Sequence, residues 1–286
     1  MLSAALIDPL IDAALREDLA GGDLTSECCV EPATAARAEA VARTELVVCG
    51  GELFARVFQR LDPATEVDRL RPDGALAQAG TALWRVRGRA QSVLRAERVA
   101  LNFVQRMTGI ATTAKRYVDA VPAGLATRIT DTRKTTPGLR ALERYAVRTG
   151  GAHNHRNDLG SAVLIKDNHI VAAGGIRNAL ERAKRLAPHT CRIEVEVTTL
   201  AELDQALELG ADIILLDNME TATIREAVAR VRARAPAERV PWLEASGGIT
   251  LGRVPELAQA GIDVISVGAL THSAPAADIS LEFAFD

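Results

Sequence analysis

Charged residues and glycines follow six short apolar runs in the part of the chain from about residue 109 onwards, where each run ends. These groups are Asp131-Thr132-Arg133-Lys134, Lys166-Asp167-Asn168-His169, Glu196, Asp217-Asn218, Ser246-Gly247-Gly248 and Val267-Gly268-Ala269. The apolar runs alternate with amphipathic helical segments, a pattern that indicates parallel β-strands joined by helices. Since ligands bind at the carboxyl ends of parallel strands, we expect these groups to meet in one pocket.

The expected pocket contains three chemical types. The cations Arg133, Lys134 and Lys166 are joined by His155 and Arg156 from a glycine-rich loop, and the acids are Glu196 and Asp217. The glycine turns offer backbone N–H groups to a phosphate, and arginine forks suit carboxylates. Carboxylates suit ribose hydroxyls or Mg²⁺, which also takes phosphate and water ligands. The set fits phosphoribosyl pyrophosphate together with a dicarboxylate acceptor.

Lysine is rare in this chain, which makes two of its lysines informative. Among 34 lysines and arginines, the lysines are Lys115, Lys134, Lys166 and Lys184. A compact ammonium is not equivalent to a guanidinium. Lys134 and Lys166, which lie inside polar motifs, are therefore expected to bind a specific ligand.

Each of these residues also has a plainer interpretation when it is taken alone. Glu196 could lie on a solvated strand edge, Asp217 could cap the following helix, and His169 could be a buried core histidine. Glycine-rich turns are common between strands and helices. The recurrence of such residues at successive strand ends favours a binding site.

The first part of the chain, residues 1–108, has an α+β pattern. Asp8-Pro9 predicts the cap and first residue of a helix that Gly21-Gly22 ends. Alternating strands and two amphipathic helices follow, which predicts helices against a mainly antiparallel sheet. The alternation of Ile279, Leu281, Phe283 and Phe285 predicts that residues 273–286 return to this domain as a final strand.

Residues 109–272 are predicted to form a second domain of the α/β class. Six strands in this length are fewer than the eight of a full barrel of about 250 residues. We therefore expect an open or incomplete α/β barrel beside an N-terminal α+β sandwich domain.

Composition narrows the class of protein. The formal net charge is −3 and no long basic stretch is present, which argues against a nucleic-acid surface. The first residues do not resemble a signal peptide and no apolar run would span a bilayer, so we expect a cytoplasmic protein with no membrane contact. Cys28, Cys29, Cys49 and Cys191 lack zinc-ligand spacing and are expected to be incidental thiols.

Three segments together resemble the signature of the quinolinate phosphoribosyltransferases. They are DTRKTTPGLR at 131–140, YAVRTGGAHNHR at 145–156 and LIKDNHI at 164–170. EVEV at 194–197, ILLDN at 214–218, SGG at 246–248 and VGALTHS at 267–273 continue the match, and EDLAGGDLTS at 17–26 and AERVALNFVQRMTGIAT at 96–112 extend it upstream. The resemblance covers nearly the whole chain.

The resemblance implies roles for individual residues and a homodimer, or a higher assembly, with shared active sites. It implies that Arg98 reaches the neighbouring subunit's site to hold quinolinate, although Arg98 could instead form a surface ion pair with Glu97. The implied substrate-binding residues are Thr132, Arg133, Lys134, His155, Arg156, Lys166, Glu196, Asp217, Ser246, Gly247, Gly248, Val267, Gly268 and Ala269. Lys134, Lys166, Glu196 and Asp217 are expected to be catalytic, with Glu196 and Asp217 holding Mg²⁺ through water.

The implied reaction joins quinolinate to phosphoribosyl pyrophosphate and gives nicotinate mononucleotide, pyrophosphate and CO₂. A paralogous group linked to molybdate transport shares the TRK and HR motifs but departs at LIKDNH, which is intact here. Arg144, Thr108 and Gly160-Ser161 depart from common family residues, and none is a named ligand group. Two alternatives stay open: transfer to another base, and a non-catalytic protein that binds a phosphorylated metabolite.

Overall fold

The chain divides into two units whose segments interleave along the sequence. The computed structural model describes residues 2–234 and 240–284. Unit 1 comprises Met1–Lys115, Thr135–Gly151 and Leu270–Asp286, and unit 2 comprises Arg116–Lys134 and Ala152–Ala269. The predicted boundary between 108 and 109 falls inside a helix that runs from Ala90 to Asp119. The buried stripe of that helix continues through Ile110 and Ala114, so nothing breaks it at 108.

Unit 1 has helices packed with an antiparallel sheet, as expected for an α+β domain. With labels numbered along the whole chain, its elements are α1 Ala4–Leu19, α2 Leu24–Cys29, β1 Ala35–Ala42, β2 Leu46–Val47, α3 Gly51–Leu61, β3 Glu66–Arg69, β4 Leu76–Ala77, β5 Ala82–Arg89, α4 Ala90–Asp119, α5 Arg140–Thr149, α11 Ala269–His272 and β12 Ile279–Ala284. The four-stranded sheet has the order β12-β1-β5-β3, and β2 pairs with β4 separately. Phe54 of α3 stacks on Trp84 of β5, with ring centroids 4.8 Å apart.

The final strand pairs antiparallel with β1, from Arg37 opposite Ala284 to Ala42 opposite Ile279. Phe285, which the alternation also assigned to this strand, lies outside the described residues.

The first helix starts earlier than Asp8-Pro9 indicated. α1 begins at Ala4 after Ser3, includes Pro9, and ends at Leu19, close to the predicted glycines. Asp8 is not its cap. Instead the Asp8 carboxylate accepts a hydrogen bond from Nη2 of Arg56 on α3 at 2.7 Å. An aspartate before a proline fits a cap, but here an ion pair with a second helix uses its charge.

Unit 2 is a parallel α/β structure. Its elements are β6 Arg128–Thr130, β7 Val163–Ile165, α6 Asp167–Ala173, α7 Ile176–Leu186, β8 Ile193–Val197, α8 Leu200–Glu208, β9 Ile213–Asp217, α9 Thr221–Arg234, β10 Trp242–Ser246, a 3₁₀ turn at Leu251–Arg253, α10 Val254–Gln259 and β11 Val264–Ser266. The sheet has the order β6-β11-β10-β9-β8-β7. Among the described residues, the edge strands β6 and β7 do not pair with each other, so the barrel is open as predicted.

Alternation along the parallel strands decides which residues face the barrel interior. On β10, Trp242, Glu244 and Ser246 share one face because side chains alternate along a strand. Two arginine guanidinium carbons lie over the Trp242 ring, that of Arg128 at 4.8 Å and that of Arg192 at 5.4 Å from its centroid. This cluster lies at the amino-terminal end of the sheet, opposite the end where ligands bind.

In the described part of the chain, no helix combines the length and the apolar character that crossing a bilayer requires.

The aromatic contact in unit 1 gives a stability prediction. Phe54 is 0% exposed and its ring also lies 4.9 Å from that of Phe58. We expect Phe54→Ala to lower the free energy of unfolding by about 3–5 kcal/mol, because it leaves a cavity in the core. Urea denaturation followed by circular dichroism measures this loss. Leu76→Ala, at a site 60% exposed, should stay within about 0.5 kcal/mol of the parent chain. Equal losses in both variants would contradict the assignment of the core.

Candidate active site

The carboxyl ends of the parallel strands of unit 2 surround a cleft of about 520 Å³. Its lining consists of cations, acids, a glycine turn and a few apolar side chains: Thr132, Arg133, Lys134, His155, Arg156, Leu164, Lys166, Glu196, Leu215, Asp217, Asn218, Glu244, Ser246, Gly247, Gly248 and Ser266. Most of the residues predicted from the sequence therefore lie together. Val267, Gly268 and Ala269 follow β11 directly but are not among the lining residues, and Arg98 belongs to unit 1, where its side chain is exposed.

Lys166 and Glu196 form an ion pair across neighbouring strand ends. The Lys166 Nζ donates to Oε2 of Glu196 at 2.9 Å, and the lysine side chain is 46% exposed against 10% for the glutamate. The Lys166 backbone N–H donates to Nδ1 of His169 at 2.9 Å. His169 is exposed, and its ring accepts this hydrogen bond at the turn into α6. Its interpretation as a core histidine is therefore wrong.

The turn after β10 is shaped by contact with the end of β9. Gly247 has a φ of 86°, and a Cβ added there would lie 2.3 Å from Oδ1 of Asn218, so only glycine fits. Asn218, itself left-handed with a φ of 53°, donates from Nδ2 to Oδ2 of Asp217 at 2.8 Å. The glycine lets the Ser246 turn and the Asp217 carboxylate share one side of the cleft.

His155 lies between two buried carboxylates of the barrel interior. Its Nε2 is 3.3 Å from Oε2 of Glu194 and 3.5 Å from Oε1 of Glu244. The backbone N–H of Arg156 donates to its Nδ1 at 2.7 Å. Because Nδ1 accepts this hydrogen bond, the proton of a neutral ring belongs on Nε2, which faces the two carboxylates. Both ring nitrogens are thus held by the protein.

The buried acids favour the protonated form of His155. Burial alone lowers the pKa of His155, but hydrogen bonds to Glu194 and Glu244 outweigh it and raise this pKa to about 10. Burial raises the pKa of Glu194. The cluster therefore binds one proton more at pH 7 than it would with a neutral imidazole.

The same trio has atoms close enough to hold a metal, since its candidate ligand atoms lie within 4.8 Å of one another. A metal-bound imidazole normally donates from its other ring nitrogen. Here the other nitrogen of His155 accepts from Arg156, so the arrangement favours a proton over a metal.

Arg133 and Arg156 are partly buried cations on adjacent segments of the cleft wall. Burial lowers the pKa of Arg156, and the charge of Arg133 lowers it further. Nη1 of Arg156 donates to the Ala162 carbonyl at 3.1 Å, while Nε of Arg133 is buried without a hydrogen-bond partner among the described residues. Two cations held this close suit a ligand with more than one anionic group.

The sequence analysis missed Glu194 and Glu244, which are 4% and 3% exposed. The sequence nevertheless contains a pattern that marks both glutamates. Each precedes a predicted cleft residue by two positions, Glu196 and Ser246 respectively, and strand alternation puts both members of each pair on one face. A charged residue at such a position in a buried strand requires a partner, and His155 is that partner.

The domain profiles of one protein family match almost the whole chain. The description "Quinolinate phosphoribosyl transferase, C-terminal domain" matches residues 110–282, and the N-terminal domain of the same family matches residues 23–108. The chain belongs to the quinolinate phosphoribosyltransferase family.

Relatives in this family share about two fifths of their residues with the chain. A nicotinate-nucleotide pyrophosphorylase [carboxylating] from Mycobacterium leprae is 43% identical, covering 99% of this chain and 100% of that protein. The human protein of that name is 40% identical, covering 99% and 93%. The crystal structure of NadC from Streptococcus pyogenes superposes with a TM-score of 0.93 at 36% identity, covering 100% of this chain and 99% of that one.

The buried cluster makes stability depend on pH. Because the pKa of His155 is raised to about 10 in the folded chain, against about 6.5 in the unfolded one, the folded state binds more protons between these values. The cluster's contribution to stability is complete below about pH 6.5 and is lost as pH rises through the folded pKa. We therefore expect Glu244→Gln, which removes one of the two carboxylates, to flatten the fall in unfolding free energy between pH 7 and 10.

Urea denaturation at several pH values measures this slope. Glu181→Gln, an exposed glutamate of α7 paired with Arg177, is the matched control and should keep the parent slope. An unchanged slope in Glu244→Gln would show that the cluster does not hold the extra proton.

Proposed function

We propose that the chain transfers the phosphoribosyl group of phosphoribosyl pyrophosphate to quinolinate, giving nicotinate mononucleotide, pyrophosphate and CO₂ in NAD synthesis. The observation that carries this proposal is the cleft at the strand ends of unit 2, which brings cations, acids and a glycine turn together. The name carboxylating nicotinate-nucleotide pyrophosphorylase, borne by the relatives, describes the same reaction written in reverse.

Pyrophosphate departure is the step that the acids and the glycine turn serve. As the bond between the anomeric carbon and pyrophosphate breaks, positive charge develops on the ribose, as in glycosidic cleavage. Glu196 and Asp217, at the ends of neighbouring strands, orient the ribose hydroxyls and favour that charge. Backbone N–H groups of Ser246–Gly248 hold the 5′-phosphate, with Val267–Ala269 as a second proposed phosphate turn.

Quinolinate is held by the cationic side of the cleft. Arg133, Arg156 and Lys166 pair with its two carboxylates, while Lys134 faces the pyrophosphate. The pyridine nitrogen bonds to the anomeric carbon and becomes cationic. The cationic nitrogen then stabilises the electron pair that stays on the ring carbon as its bond to the 2-carboxylate breaks, releasing CO₂. The carbon that loses CO₂ takes up a proton, and the protein supplies no covalent nucleophile.

The acids of the cleft fit Mg²⁺ as a cofactor. Mg²⁺ is held by one or two carboxylates completed by phosphate oxygens and water, and Glu196 and Asp217 provide two carboxylates at the cleft. Before substrate binds, Lys166 neutralises Glu196 at 2.9 Å. A quinolinate carboxylate that pairs with Lys166 releases Glu196 for the ribose and for Mg²⁺, which stabilises the leaving pyrophosphate when bound.

The reaction itself is the first test. Purified protein should release CO₂ from quinolinate labelled in its 2-carboxylate, only when phosphoribosyl pyrophosphate and Mg²⁺ are present. Lys166→Ala should lower kcat/KM at least about 100-fold, because it removes a charge that stabilises the bound anions. Its unfolding free energy should stay within about 1 kcal/mol, since the lysine is 46% exposed.

Lys184→Ala, at a lysine of unit 2 outside the cleft, is the matched control and should keep full activity. Product formation from nicotinate but not from quinolinate would favour a transferase for another base. Tight binding of phosphoribosyl pyrophosphate with no turnover of either base would favour a non-catalytic binding protein.

Shared active sites in a homodimer form the second part of the proposal. Arg98 belongs to unit 1, its side chain is exposed, and the pKa of its neighbour Glu97 is raised by burial. An equal mixture of Arg98→Ala and Lys166→Ala chains, exchanged under mild denaturation, should regain about a quarter of wild-type activity. Each mixed dimer then has one site with both residues intact. If activity stays at the sum of the two variants, Arg98 does not act across the dimer.

A further inference from the structure

Asp131 directly follows β6 but does not line the cleft. Its side chain is 0% exposed, and both carboxylate oxygens accept hydrogen bonds from one neighbouring segment. Oδ1 accepts from the backbone N–H of His155 at 2.7 Å, and Oδ2 accepts from Nδ2 of Asn154 at 2.6 Å. We name Asp131, Asn154 and His155 the Asp131 clasp. The sequence had grouped Asp131 with the ligand-binding residues that follow it.

The clasp fastens two segments that are distant in the sequence. His155 and Asp131 are 24 positions apart, and the intervening residues 135–151 belong to unit 1. Backbone hydrogen bonds add to the clasp, since the N–H of His153 donates to the Ile129 carbonyl at 2.8 Å. Residues 153–155 thus cover the free edge of β6 as a short parallel addition to the sheet.

Each segment carries an arginine of the cleft just beyond the clasp. Arg133 is two residues after Asp131, and Arg156 follows His155. Like charges repel, and the two guanidiniums are close enough for one to disfavour the charge of the other. The buried Asp131 carboxylate fixes the backbone from which Arg156 extends, and so holds the two arginines in place against this repulsion.

We propose that Asp131 is a positioning residue that sets the spacing of Arg133 and Arg156 for the two carboxylates of the acceptor. This inference rests on the proposed function. Arginine forks bind carboxylates in a fixed planar geometry, so their spacing decides which dicarboxylates fit. A shift of about 1 Å in such groups costs on the order of 100-fold in rate or affinity. The Ser246–Gly248 phosphate turn follows β10, and β11 separates β10 from β6. We therefore expect the clasp to affect this turn less than it affects the two arginines.

Asp131→Asn tests the proposal with little change in shape. The amide group places an NH₂ where one N–H donor of the clasp now points, so one of the two hydrogen bonds is lost. We expect the KM for quinolinate to rise about 10- to 100-fold, while the KM for phosphoribosyl pyrophosphate stays within about threefold. Isothermal titration should show the same loss in quinolinate affinity. If Asp131 only stabilised the fold, its replacement would change the KM values for both substrates to a similar extent.

Asp204→Asn is the matched control, because Asp204 is an aspartate of unit 2, outside the cleft, whose Oδ2 accepts from Nη1 of Arg230 at 2.9 Å. Its KM values should equal those of the parent chain. If Asp131→Asn does not fold, Asn154→Ala removes the hydrogen bond to Oδ2 and should raise the quinolinate KM about threefold to tenfold.

The two proposals fail in different ways. A parent chain that releases no CO₂ from quinolinate would overturn the proposed function. An active parent chain, with unchanged quinolinate KM in the folded variant or with both KM values raised equally, would overturn the role of Asp131 alone.

Discussion

The constraint on which the cleft depends is the alternation of side chains along parallel strands. On β8, Glu194 and Glu196 must share a face, and on β10, Trp242, Glu244 and Ser246 must do so. These faces of neighbouring strands meet inside the barrel. The charged side chains therefore lie in successive layers along the strand direction. Arginines lie on Trp242 at the amino-terminal end, His155 joins two glutamates above them, and the cleft follows.

The charged side chains of each layer are neutralised by contacts with neighbouring segments, and these contacts differ between the interior and the cleft. The Glu194 and Glu244 carboxyl groups are buried and require a polar partner between them. His155 is that partner: its Nε2 faces both acids, and its Nδ1 accepts from the Arg156 N–H. At the cleft itself, the Lys166 side chain is 46% exposed and can exchange its partner Glu196 for a ligand. The buried contacts around His155 are therefore fixed, whereas the ion pair of Lys166 and Glu196 can rearrange when substrate binds.

The sequence predicted the six parallel strands and most of the cleft residues because both depend on local patterns. Short apolar runs indicate buried strands, and polar residues directly after such runs mark their carboxyl ends. The pairing of His155 with the two buried glutamates and the burial of Asp131 depend on contacts between distant segments, although alternation along each strand already marks the glutamates as facing inward. The start of α1 was wrong for a related reason: Asp8-Pro9 is a valid cap signal, but an ion pair with Arg56 uses the aspartate. The helix α4 continues to Asp119, past the predicted boundary at residue 108, because its stripe of buried residues continues there.

The pairing of β12 with β1 has a consequence for the order of folding. The sheet of unit 1 has β1 between β5 and β12, and β12 comprises residues near the end of the chain. During synthesis, β1 emerges long before β12 and keeps one edge open until β12, which follows all of unit 2 along the chain, has been made. An open strand edge is a template for association with other chains, so unit 1 completes this sheet only after unit 2 has been synthesised.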